Sequence, residues 1–171
     1  MTTSFRNVSA ILATTLVLAV APANLLGQDN LTPAPDDAAK KVEADRLTEV
    51  LRSDAAPFDK AKACQRLALI GTKDAVPALA ALLADEELGN YARFGLERIP
   101  DPSVDDALRD ALGRLRGPLL VGVINSVGVR RDPKAVGALT EFVSDPTPEV
   151  APKALAALAE IATAEAVEAL Q

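Results

Sequence analysis

The chain has 171 residues, 18 basic against 24 acidic, for a net charge of −6, with no histidine and one cysteine. Without histidine there is no ordinary general base near neutral pH, no imidazole metal ligand and no Ser–His or Cys–His nucleophile pair. A lone cysteine closes no internal disulfide, no C-x-x-C-H haem site exists, and the acidic balance argues against a phosphate-neutralising nucleic-acid binder.

Taken from the N-terminus, residues 1–27 carry one cation, Arg6, then an apolar run from Val8 to Val20, then small residues. This is the layout of a secretory signal peptide, too short in its apolar part to span a membrane comfortably. Cleavage fits after Ala23 or Gly27, and the alternative is an uncleaved N-terminal anchor. No cysteine follows the apolar run, so a lipid anchor of the lipoprotein type is not expected. Removal deletes Arg6 and no acid, which leaves −7 (17 basic against 24 acidic residues) and an exported, periplasmic or secreted, chain without stable membrane insertion. Residues 28–37, polar and with two prolines, read as a flexible linker. Residues 38–57 read as a degenerate or capping helix, with Val42, Leu47, Val50 and Leu51 as its apolar set.

From residue 58 the sequence repeats. DAVPAL at 74–79 returns as SVDDAL at 103–108, KAVGAL at 134–139 and EAVEAL at 165–170, and the closing leucines fall 29, 31 and 31 residues apart. Upstream, Ala63–Leu67–Ile70, Ala92–Leu96–Ile99, Leu120–Ile124–Val127 and Ala154–Leu158–Ile161 all keep the spacing i, i+4, i+7, one apolar stripe on a helix. Each unit is therefore a helix, a turn and a second helix: 58–88, 89–117, 118–148 and 149–171. With 3% aromatics and abundant Ala and Leu, the expected fold class is all-α, an array of stacked antiparallel helix pairs. From the first-helix Leu or Ile to the second-helix Leu is 12 residues in units one, two and four, but 15 in unit three. The three extra residues fall in 128–134 and are expected to lengthen the turn. Gly71 and Gly128 are expected to end their helices in a positive-φ conformation.

The repeat length, the A…L..IG…DAVPAL..LL.D layout of unit one and the D-x-x-x-E-V opening of unit four resemble HEAT repeats, in particular the short bacterial HEAT-like or phycobilisome-lyase-like kind. The resemblance covers 58–171 and implies a right-handed α-α superhelix. Members of that family commonly carry Val-Arg early in the first helix. Here Val150 precedes Ala151, and Ala92-Arg93 only approximates the pair, so an inter-repeat Asp–Arg ladder is not expected.

Several residues qualify as sites. Cys64 reads as a small thiol at a helix contact; the alternative is a reactive thiol activated by Lys60, Lys62 and Arg66. Arg114, Arg116, Arg130, Arg131 and Lys134 are the one basic concentration. The first two suit a helix C-terminus, and Arg130, Arg131 and Lys134 form a basic turn of solvated charges. Asp101, Asp105, Asp106 and Asp110 lack calcium-loop spacing and read as acids favouring a helix N-terminus. No catalytic residue, cofactor site or metal site emerges. Second helices of such arrays commonly line the concave face. A partner surface is therefore expected at Glu86, Glu87, Arg109, Asp110, Glu141 and Glu168, for a protein or peptide with basic segments and not for nucleic acid.

The expected function is a non-catalytic exported scaffold for protein–protein interaction. Two alternatives stand beside it. Some relatives of such repeats assist attachment of bilin chromophores, which implies an accessory subunit. The other is a segment of a larger exported enzyme or haem protein. Unit four stops at EAVEALQ, with Val167 and Leu170 expected partly uncovered, which points to continuation of the chain or to self-association.

Overall fold

A proline opens three of the longer helices, α2 at Pro57–Ile70, α5 at Pro102–Arg114 and α6 at Gly117–Arg130, lying in their first turn where its missing N–H costs little. The structure is a computed structural model; it describes residues 35–168, which are all-helical, with no strand among them. The remaining helices are α1 at Pro35–Arg52, α3 at Val76–Ala81, α4 at Gly89–Arg98, α7 at Val136–Phe142, α8 at Val150–Ile161 and α9 at Ala164–Glu168. Short 3-10 turns at Lys73–Ala75 and Pro133–Ala135 lead into α3 and α7, and another at Leu82–Ala84 prolongs α3. Among these described residues no helix is long and apolar enough to cross a membrane. The leader expected at residues 1–27, most of the expected linker and Leu170 lie outside the described residues.

Packing is serial. Helix α2 lies on α4, α4 on α6 and α6 on α8, while α1 contacts α3 and α3 contacts α5. Between these rows, α3 packs on α4, α5 on α6 and α7 on α8. The core is drawn from equivalent positions. Leu67, Leu96, Ile124 and Leu158 are fully buried, and so are Leu79, Leu108 and Leu139. Each such side chain contributes about 2 kcal/mol by leaving water. Small residues let the backbones approach. A Cβ on Gly128 of α6 would sit 2.9 Å from Cα of Ala157 in α8, and one on Gly95 of α4 would sit 3.2 Å from the carbonyl oxygen of Cys64 in α2.

One capping device recurs that the sequence reading overlooked. Thr72, Asp101 and Asp132 each precede a second helix and accept a hydrogen bond from the backbone N–H two residues on, at 3.4, 2.9 and 3.0 Å. Thr163 accepts from the N–H of Ala166 at 3.1 Å. All four stand seven residues before their unit's closing leucine. A side-chain oxygen is needed there because a helix start leaves its first N–H groups without backbone partners.

Several expectations require correction. Residues 35–37 belong to α1, where Asp36 and Asp37 favour the helix N-terminus, and not to a linker. Val42 is 70% exposed; the inward face of α1 is Ala44, Leu47, Thr48, Val50 and Leu51. Gly71 has φ −65° and is extended. Gly128 lies inside α6, whose left-handed cap is Arg131 at φ 53°. The three extra residues of unit three thus lengthen the helix by nearly a turn and not the connection. Arg130 therefore belongs to a helix.

Candidate functional site

Helices α3 and α5 lie side by side. Between them runs a groove of about 580 Å³. Val76, Pro77, Ala80 and Ala107 give it an apolar lining. Asp74, Asp101, Asp106 and Asp110 edge it with four carboxylates, against one ammonium from Lys73.

Each carboxylate has a distinct setting. Asp101 accepts from both the hydroxyl of Ser103, at 2.6 Å, and its backbone N–H, and these bonds hold its carboxyl below the usual range. Asp106 pairs with Arg109. Asp74 has the ammonium of Lys41 at 3.6 Å, both groups exposed. Asp110 makes no ion pair among the described residues, although its backbone carbonyl accepts from Nε of Arg114. Two of the four rim carboxylates thus already face a cation of the chain, and Asp110 has none among the described residues.

The residues expected to form a partner surface do not converge. Asp110 alone lines this groove. Glu86 and Glu87 are exposed in the turn before α4, where Glu86 borders a separate hollow of about 370 Å³ with Arg116, Pro118 and Leu119. Glu141 is exposed on α7 and Glu168 on α9.

Arg109 is a correction. Its side chain is 21% exposed and engages Asp132, a nearly buried carboxylate, as well as Asp106. Arg130 departs further from a solvated turn. At 12% exposure it pairs with Asp105 and donates to the carbonyl oxygens of Glu97, Ile99 and Asp101 at 3.3, 2.9 and 3.2 Å. Those carbonyls belong to the end of α4 and the link to α5; Ile99 and Asp101 also accept from the backbone N–H groups of Asp101 and Val104, and the guanidinium stands at the negative pole of α4. Arg131 and Lys134 are exposed, so the basic turn reduces to these two. Arg93 of α4 donates to the hydroxyl of Ser126 in α6 at 2.9 Å, and that hydroxyl donates to Glu97 at 2.6 Å. Three arginines therefore tie unit two to unit three, against the expectation of no ladder. Arg114 and Arg116 donate to backbone carbonyls at the end of α5 and just beyond it.

The reactive reading of Cys64 also fails. Its thiol is fully buried, and burial pushes its pKa up to about 11, leaving no thiolate near neutrality. Among the described residues, no group of three or more His, Cys, Asp or Glu could hold a metal ion. The groove combines an apolar lining with carboxylates.

No family model matches the sequence, and no curated protein matches it at a significant level.

Sequence reasoning missed Asp74, Asp101 and Asp106 as groove residues. The available signal was positional: all three fall within the eight residues before or at the start of a repeat hexapeptide's leucine, on neighbouring second helices.

Proposed function

We propose that the chain is a HEAT-like solenoid, a right-handed superhelix of stacked helix pairs, and acts after export as a non-catalytic docking scaffold for a basic, extended protein segment. The solenoid reading rests on the sequence repeat and on the serial packing of equivalent buried leucines. Export rests on the arrangement of Arg6 and the apolar run that follows it.

The observation that carries the binding role is the α3–α5 groove, where four carboxylates border an apolar floor. A segment alternating lysine or arginine with small apolar side chains satisfies both parts of that surface. Charge sets the approach and the register, while burial of the apolar side chains holds the segment in place.

Fluorescence anisotropy with a labelled peptide alternating lysine and leucine tests this at low salt. Saturable binding is expected, weakened by salt and by the double replacement D74N/D110N by about tenfold. Equal binding by the chain and the double variant, or no binding at all, contradicts the reading.

A further inference from the structure

The aromatic residues are distributed oddly. The chain has four Phe and one Tyr, and three of these five, Phe58, Tyr91 and Phe94, are exposed on α2 and α4. Leu69 stands with them at 72% exposure. Phe58, Lys62 and Leu69 fall at i, i+4 and i+11 on α2; Tyr91, Phe94 and Arg98 fall at i, i+3 and i+7 on α4. Each set occupies one helical face, opposite the buried Leu67 and Leu96, and the two helices pack against each other.

The cations of this face sit on its rings. The ammonium of Lys62 lies 4.2 Å from the ring centre of Phe58, and the guanidinium of Arg98 lies 5.6 Å from that of Phe94. Neither cation has a carboxylate partner among the described residues, whereas Arg66, Arg93, Arg109 and Arg130 all have one. An apolar patch carrying two cations without carboxylate partners suits an occupant that is apolar and acidic. The chain itself supplies such a surface in the α3–α5 groove, with four carboxylates above Val76, Pro77, Ala80 and Ala107.

We propose that the aromatic, cationic face of α2 and α4 docks into the α3–α5 groove of a second copy of the chain. The proposal rests on the reading of that groove as an acceptor of basic, apolar surfaces, and adds that this chain is one of its occupants. The two patches differ, so the contact is heterologous: one copy keeps a free groove and the other a free face, and chains add head to tail. A basic peptide and a second copy compete for the same groove, so peptide binding dissociates the assembly.

Sedimentation velocity of the full chain at low salt, across a concentration series, tests the proposal with two charge-reversed variants, K62E/R98E and D74K/D110K. All four positions are outside the core, so folding is retained and is checked by circular dichroism. The wild-type chain is expected to associate with rising concentration. Each variant alone is expected to associate about tenfold more weakly, and an equimolar mixture of the two to regain association through the restored opposite charges. A wild-type chain that stays monomeric overturns the proposal, as does association unchanged in both variants or a mixture that behaves as the sum of its parts. A monomer that still binds the lysine–leucine peptide defeats the self-docking alone; loss of peptide binding defeats the groove reading independently.

Discussion

Glycine placement separates positions where a methyl group fits from positions where backbones already touch. Gly128 faces Ala157 across the α6–α8 contact, so Gly128→Ala forces two helices apart and is expected to destabilise by about 1–3 kcal/mol. Gly113 in α5 has nothing within reach of a Cβ, and Gly113→Ala is expected to be neutral or to stabilise by up to about 1 kcal/mol. Urea denaturation of both variants checks the contrast; equal effects contradict the close contact. Carboxylates give a pH counterpart. Ser103 holds Asp101 low through its hydroxyl and N–H, the N–H of Thr147 does the same for Asp145, and Arg66 does so for Glu43. A depressed carboxyl binds its proton less readily folded than unfolded. Its stabilisation is therefore full above the ordinary value of about 4 and is lost as pH falls through the lower folded value. Thermal midpoints are expected to be flat from neutrality to about pH 5 and to fall below about pH 4. Asp101→Asn keeps an oxygen for the cap but cannot titrate, so its acid limb is expected to be shallower; an unchanged limb assigns acid sensitivity elsewhere.

At the scale of elements, the three additional residues of unit three carry α6 past Val127 to Arg130. That extension places a guanidinium over the end of α4 and beside Asp105. Arg130→Met leaves the carbonyl of Glu97 and the largely covered carboxylate of Asp105 without this donor, and is expected to cost about 3 kcal/mol in chemical denaturation. A loss under about 0.5 kcal/mol, the size of an exposed pair, contradicts a structural role for the extension. Much of this level was legible. The spacing i, i+4, i+7 located the first helices, because an inward stripe must recur at the helical period. The location of the insertion was legible too, but not its conformation. Glycine and proline at 128–134 suggested a turn, whereas packing against Ala157 favours continued helix with a small residue at the contact. Charge partners were hidden for a simpler reason. Arg109 and Asp132, or Arg130 and Asp105, are more than twenty residues apart, and only the stacking of helices brings them together.

For the molecule as a whole, serial contacts from α1 to α8 mean that each helix pair depends chiefly on its neighbours, and that surfaces between adjacent pairs arise without any dedicated loop. The α3–α5 groove is one such surface, which explains why it escaped the sequence. Exposure was expected residue by residue, and it marked Glu86, Glu141 and Glu168, acids distributed along different helices. A groove depends instead on which acids two neighbouring helices bring to the seam between them, and Asp74, Asp106 and Asp110 line it together. Docking of a basic, apolar segment in that groove is tested most directly by hydrogen exchange of the chain with and without the lysine–leucine peptide. Slowed exchange concentrated in residues 73–84 and 102–114, with α6 and α8 unchanged, is the expected result. Protection spread evenly over the helices, or confined to segments outside α3 and α5, contradicts it.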